Sequence, residues 1–245
     1  MTEHWLILGA SSSIARAFAR EASRRGAALT LVGREAADLD ATAADAQLRG
    51  ASSARVLLCD ATDSASRAAF LPQAALSGTV LNVLLAIGSM PDQDAMDGEP
   101  GLLIEMIESN YSGPVALLQG LVGSFEAQRG GRVVIIGSVA GDRGRRKNYL
   151  YGSAKAGVAR YAEGLRARLH PAGATVTLVK PGFVDTSMTW GVPGMFLVAT
   201  PEACARAMMR AADHGVATLY VPFFWRYIML IIQHIPAHVM KKLRF

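Results

Sequence analysis

Seven short runs of almost unbroken apolar residues recur along the chain, and a helix-like stretch fills nearly every gap between them. The runs fall at 4–8, 28–32, 54–58, 80–86, 132–137, 174–179 and 217–221. Val80-Leu81-Asn82-Val83-Leu84-Leu85 and Arg132-Val133-Val134-Ile135-Ile136 lack the polar alternation of a half-solvated strand. A strand apolar on both sides is covered on both sides, which is the condition of a parallel sheet wrapped by helices. The Ala-, Arg- and Leu-rich stretches 13–26, 35–49, 63–77, 101–128, 152–169 and 201–213 have helical periodicity and supply that cover. The pattern predicts a Rossmann-like, doubly wound α/β fold of about seven strands with helices on both faces. In such sheets ligands bind beyond the carboxyl ends of the strands, so the segments after each strand carry the functional information.

A length of 245 residues suits one such unit, and 51% hydrophobic against 18% charged residues excludes a disordered chain. Residues 1–222 read as the nucleotide-binding domain with a built-in active site, and 223–245 as an apolar and basic tail. The formal net charge is +5, with basic residues clustered at Arg143-Arg145-Arg146-Lys147 and at Lys241-Lys242-Arg244. No nucleic-acid-binding module accompanies them. A nucleotide cofactor, a phosphorylated substrate or a membrane surface is the anionic partner this charge suits. Met1-Thr2-Glu3-His4 leads straight into Trp5-Leu6-Ile7-Leu8 without a basic, apolar leader, and Cys59 and Cys204 have no metal-ligand spacing. The expectation is a cytoplasmic protein with reduced thiols and no metal site.

The first strand runs into Gly9-Ala10-Ser11-Ser12-Ser13-Ile14 and then a helix. Small residues there let backbone amides approach a pyrophosphate, and the helix N-terminus adds favourable partial charge. A plain tight turn would look the same. The second strand ends Val32-Gly33-Arg34. An acidic residue at this edge would bind the 2′-hydroxyl of NAD; Arg34 suits a 2′-phosphate instead, favouring NADP(H) with NAD(H) still open. Asp60-Ala61, after the third strand, offers an acceptor for the adenine amino group or a helix cap. Ala86-Ile87-Gly88 is a small-residue turn suited to lying beside the nicotinamide ribose. Pro181-Gly182, with Val184 and Thr186, can offer backbone groups to the carboxamide and a hydroxyl to the pyrophosphate.

The fifth strand ends at Ser138, and thirteen positions later comes Tyr151-Gly152-Ser153-Ala154-Lys155. Tyr-x-x-x-Lys on a helix places both side chains on one face. A free phenol titrates near about 10 and is a poor acid-base group at neutral pH, but a neighbouring ammonium favours the phenolate. Tyr151 can then hand a proton to a carbonyl oxygen while Ser138 holds and polarises that oxygen. The motif alone is common; a serine at the end of the preceding strand is what gives it meaning.

Taken together these segments resemble the short-chain dehydrogenase/reductase family over residues 4–221. The resemblance implies a catalytic set of Ser138, Tyr151 and Lys155, with Lys155 also holding the ribose hydroxyls and Asn110 of Glu108-Ser109-Asn110-Tyr111 supporting a proton relay to it. It also implies a homodimer or homotetramer built on the helices near 101–128 and 152–169. The chain departs from the family's Gly-x-x-x-Gly-x-Gly turn, where Ser13 and Ala15 replace two glycines, and from Asn-Ala-Gly, where Ala86-Ile87-Gly88 stands. The segments 137–145 and 148–155, with 179–186 and Phe223-Phe224-Trp225-Arg226-Tyr227-Ile228-Met229, are similar to the branch of decaprenylphosphoryl-2-ketoribose reductases. That likeness implies a lipid-linked keto-sugar substrate and an oxidase partner that makes it. The apolar run 223–235 is too short to span a bilayer and is followed by cations. It reads either as an interfacial helix on the inner face of the plasma membrane or as a helix packed in a core or subunit contact. The basic run at 143–147, close in sequence to Ser138, is the candidate for meeting a lipid phosphate.

Overall fold

The computed structural model describes residues 3–74, 79–190 and 195–243. Residues 75–77 of the third expected helix and Arg244 of the basic tail lie outside them.

All seven expected strands form: β1 His4–Leu8, β2 Ala28–Gly33, β3 Ser53–Leu58, β4 Leu81–Leu85, β5 Arg132–Ile136, β6 Thr175–Pro181 and β7 Thr218–Val221. They build one parallel sheet in the order β3-β2-β1-β4-β5-β6-β7. The alternation of side chains splits each strand between two cores. Leu6, Leu8, Val83, Leu85, Val133 and Ile135 pack under Leu117, Leu118, Val158 and Leu165. Trp5, Ile7, Leu29, Leu31, Leu84 and Val134 pack on the other face under Phe18, Leu39 and Met208. The helices concerned are α1 Ser13–Arg24, α2 Ala36–Leu48 and α3 Ser64–Ala74 in the first half of the chain. The first strand pairs with both β2 and β4, so chain leaves it toward opposite sides and a crevice opens at its carboxyl end.

Two departures from the expected helices shape that crevice. The stretch 101–128 is not one helix. Short helix α4 Gln93–Gly98 precedes α5 Pro100–Ile107, a π turn at Glu108–Ser112 follows, and then come α6 Gly113–Gly120 and α7 Val122–Gln128. The cause is Pro114, which has no amide to give the carbonyl of residue 110. The preceding amide, on Gly113, bonds Glu108 five residues back, and the wider turn carries Asn110 into the interior, where it is buried. Helix α4 is polar and was legible only through its cap, where Asp92 Oδ1 accepts from the amides of Asp94 and Ala95 at 2.9 and 3.3 Å.

Helix α8 Tyr149–Leu169 and α9 Pro201–Asp213 complete the two layers, and α10 Trp225–His234 with α11 Ala237–Met240 form the tail. Trp225 and Met229 are buried and pack on Val139, with Phe183 against them. Trp225 stacks edge-on against Phe183 at 5.7 Å between ring centroids. Arg143 donates to the carbonyl of Ile235 at 3.1 Å, so this member of the basic run is spent on holding the tail. Among the described residues no helix is long and apolar enough to cross a membrane.

Candidate active site

A cleft of about 880 Å³ lies over the carboxyl ends of the strands. It is lined by Gly9, Ser11, Ser12, Ser13, Ile14, Arg34, Asp60, Ala61, Ala86, Ile87 and Gly88 on one side of the chemistry. Ser138, Tyr151, Lys155, Pro181, Gly182, Val184 and Thr186 line it too. Of the expected catalytic and cofactor residues Asn110 alone is not on its wall, and of the basic run at 143–147 only Arg145 is.

The strand-to-helix turn at its floor is tight for a stated reason. Gly9 has φ +85°, and a β-carbon there would stand 2.9 Å from the backbone of Ala86 and Ile87. The amides of Gly9 and Ala10 both donate to Val32, each at 2.9 Å. Ser12 caps α1 by accepting from the Ala15 amide at 3.2 Å. First-turn amides of a helix have no carbonyl of their own to bond, and those of Ser13 and Ile14 stand on the cleft wall. Ser13 and Ala15 in place of glycines therefore leave a cradle that a dinucleotide pyrophosphate fits. Beyond β3, Asp60 accepts from the Thr62 amide and hydroxyl at 2.9 and 2.7 Å, both through Oδ1. These bonds come first among the causes holding its carboxyl below the usual range, and nearby Arg34 adds to them. The helix-cap alternative for Asp60 is taken by Asp63, which accepts from the amides of Ala65 and Ser66. Arg34 itself is exposed on the cleft rim.

At the other end, Ser138 leaves β5 in an extended conformation, and its hydroxyl accepts from the Ala140 amide at 3.0 Å. The short turn Val139–Asp142 packs directly on α8, which presents Tyr151 and, one turn on, Lys155. Both are buried. Burial pushes the Tyr151 phenol up to about 12, opposed by a hydrogen bond with Ser138. The expected lowering by Lys155 does not prevail in the free protein: the ammonium sits 5.7 Å from the ring centroid, and desolvation outweighs it. Burial also brings Lys155 down to about 8.

Asn110 is buried in the π turn, with its side chain close to Gly88. Its Nδ2 donates to the carbonyls of Ser89 and Met106 at 2.7 and 3.0 Å, which fixes the amide and leaves Oδ1 buried without a partner. A β-carbon on Gly88 would lie 2.7 Å from that Oδ1 and 3.1 Å from Lys155 Nζ. Gly88 thus lies close to both groups.

Among the cleft residues outside the expected catalytic and cofactor sets are Arg145, expected only within the basic run offered to a lipid phosphate, Asn148, read only as part of a resemblance, and Trp225, read only as tail. Trp225 is long-range: its indole covers Gly182 so closely that a β-carbon there would stand 1.9 Å from Nε1. No local pattern announces a contact across that separation.

Fold and cleft define an oxidoreductase that works with a pyridine nucleotide. The sequence matches the short chain dehydrogenase family over residues 3–194, and the chain belongs to that family. It is 32% identical over 239 residues to an uncharacterized oxidoreductase of Mycobacterium tuberculosis, covering 97% of this chain and 96% of the relative. It is 30% identical over 185 residues to the 3-oxoacyl-[acyl-carrier-protein] reductase FabG of Escherichia coli, covering 75% and 74%. Among solved structures, a short-chain dehydrogenase from Sphingobium yanoikuyae in complex with NADPH superposes with a TM-score of 0.82 at 25% identity. That superposition covers 99% of this chain and 96% of the other.

Proposed function

We propose that this chain is an NADPH-dependent carbonyl reductase in which Tyr151 gives the proton, Ser138 holds the carbonyl oxygen, and Lys155 supports the phenolate that forms. The observation that carries this is the meeting of Ser138, buried Tyr151 and buried Lys155 in the cleft whose floor is the amide-lined turn after β1. When bound, the reduced nicotinamide supplies hydride to the carbonyl carbon. A phenol held up at about 12 is protonated at neutral pH, which equips it to give a proton rather than take one. Lys155, when charged, favours the phenolate as the proton leaves. In this reading Asn110 Oδ1 and Lys155 Nζ, both close to Gly88, would share a water that returns the proton, which is a positioning role for Asn110. In the same reading the amides of Ser11, Ser13 and Ile14 hold the pyrophosphate, with Ser12 capping the helix behind them. Asp60 and Ala61 meet the adenine, and Ala86, Ile87 and Gly88 the ribose. Pro181, Gly182, Val184 and Thr186 meet the carboxamide side. Arg34, exposed on the rim, supports NADPH over NADH, as does the NADPH complex of the Sphingobium relative.

For the substrate, the reading is a 2-keto pentose carried on a polyprenyl phosphate, supplied by an oxidase. The branch likeness at 137–155 and 179–186 supports it, and so does the surface beside the cleft. Phe223, Tyr227, Leu230 and Ile231 are exposed on or beside α10, and Trp190 is 88% exposed. Residues 223–245 hold Arg226, Lys241, Lys242 and Arg244 and not one carboxylate. An apolar, cationic surface of this kind suits a peripheral contact with an anionic bilayer, where a lipid-linked sugar would be met. Self-association through the helices of 101–128 and 152–169 into a dimer or tetramer belongs to the same reading and is checked by sedimentation.

A second substrate class has its own support in the FabG relative, whose name makes it a 3-oxoacyl reductase. The deciding experiment is NADPH oxidation by the purified protein with a polyprenyl-phosphoryl 2-keto pentose and, separately, with an acetoacetyl thioester. Preference for the lipid-linked sugar by kcat/KM supports the first reading; preference for the thioester replaces it with the second.

A further inference from the structure

Three polar atoms on the cleft wall near Ser138 and Tyr151 are buried and make no hydrogen bond: Arg145 Nε, Asn148 Oδ1 and Trp225 Nε1. They come from separate places, two from the loop between β5 and α8 and one from the tail, so no shared local cause explains them. Buried polar groups are almost always satisfied, and a buried cation is costly unless paired. Arg145 is half-buried, with its Nε enclosed and without a partner among the described residues. Burial depresses its guanidinium, and the only charge acting against this is Asp142. That carboxylate is already engaged by Lys180 and by the Tyr220 hydroxyl at 2.8 Å. Among the described residues no carboxylate forms an ion pair with Arg145, although Glu105 and Glu108 also line the cleft. Its neighbours do not share the position: Arg143 is tied to Ile235, and Arg146 and Lys147 are exposed.

We infer that Arg145, Asn148 and Trp225 form a substrate subsite for an anionic, hydroxyl-bearing group, with the guanidinium taking a phosphate-type anion. The Asn148 amide oxygen accepts from a hydroxyl beside it, and the indole N–H donates to an oxygen of the same group. The subsite rests on the carbonyl-reductase reading and names the substrate class of that site. It is separate from the cofactor's own phosphate positions, which lie at the turn after β1 and at Arg34. One anion chemistry has two sources here, a soluble phosphorylated substrate or a lipid phosphate.

The test is calorimetric titration of the full chain, saturated with NADPH so that the nucleotide's own anion positions are filled. The probes are inorganic phosphate and geranyl phosphate. One phosphate site is expected, weakened at least about tenfold by Arg145→Met, the loss of a charge-assisted hydrogen bond. Arg145→Lys keeps the charge and should retain part of the affinity. Because the guanidinium has no ion-pair partner among the described residues, Arg145→Met should also unfold at a Tm no lower than the parent, which separates a lost contact from a lost fold. Geranyl phosphate binding tenfold tighter than phosphate assigns the anion to a lipid, and equal affinity assigns it to a soluble substrate. A complex that binds NADPH but no phosphate, or binds phosphate equally well in Arg145→Met, overturns the subsite and leaves the reductase reading standing. Failure to bind NADPH at all would sink that reading instead.

Discussion

Replacing Gly182 by alanine puts a methyl group into the indole of Trp225, and the size of the conflict can be worked out. The added carbon would lie 1.9, 2.1 and 2.5 Å from Nε1, Cε2 and Cδ1. Ordinary contact is about 3.5 Å, so the ring must retreat by roughly 1.5 Å. It has little freedom to do so, being 3% exposed and held by Phe183 and Phe196 at 5.7 and 5.4 Å between centroids. Overpacking of this kind costs about 1–3 kcal/mol. Trp225→Ala alone should cost more, about 3–5 kcal/mol, because it empties a buried site. In the double variant the alanine methyl occupies part of the space the indole has vacated. The Gly182→Ala penalty should then vanish, giving a coupling of about 1–3 kcal/mol. Urea unfolding of the parent, both single variants and the double variant measures this, and NADPH titration of the same four proteins reports whether the Pro181-Gly182 loop moves with the ring. Additive losses, with coupling inside about 0.5 kcal/mol, would refute the packing of the tail on the cofactor loop.

Other consequences are as direct. Arg34→Ala should weaken NADPH binding without weakening NADH, measured by titration with each; equal losses would remove the arginine from cofactor choice. Burial lowers His4 from 6.5 to about 4, so the unfolded chain binds the extra proton first. Stability should fall as pH drops from 6.5 toward 4, by up to about 3 kcal/mol. Replacing His4 with glutamine should flatten that limb in urea midpoints taken across the range. Lys155, lowered to about 8, loses its charge above that value, so kcat/KM for reduction should decline as pH rises past it. Its stability effect has the opposite sign, since between about 8 and 10.5 the unfolded chain holds the proton more tightly and stability should rise with pH. Leu230→Glu with Ile231→Glu should cut binding to anionic vesicles in a flotation assay while leaving Tm near the parent value, as both residues are exposed.

The sheet was legible because its inner strands β1, β2 and β4 are buried on both faces and therefore nearly continuous in apolar residues, as Val83-Leu84-Leu85 is, while the edge strands β3 and β7 are partly exposed. The ends of β1 and β5 were legible for the same reason, since the residues that follow a strand in this topology stand at the crevice. Sequence could not show what depends on distant partners. Arg143 reaches Ile235 and Trp225 covers Gly182, and neither pairing leaves a periodic trace. The break at Asn110 did leave one in Gly113-Pro114, but the apolar run from 101 to 128 masked it. The direction of the Tyr151 shift was missed because composition reveals a nearby lysine and not how thoroughly a phenol is desolvated.

The most direct test of the account is NADPH oxidation on the keto substrate that proves better, comparing the parent with Tyr151→Phe while cofactor binding is followed by fluorescence. The account predicts that both proteins bind NADPH alike and that the variant loses about 10²–10⁴ in rate, the range expected when a proton donor is removed. A Tyr151→Phe protein that binds NADPH and still turns over at the parent rate would contradict it.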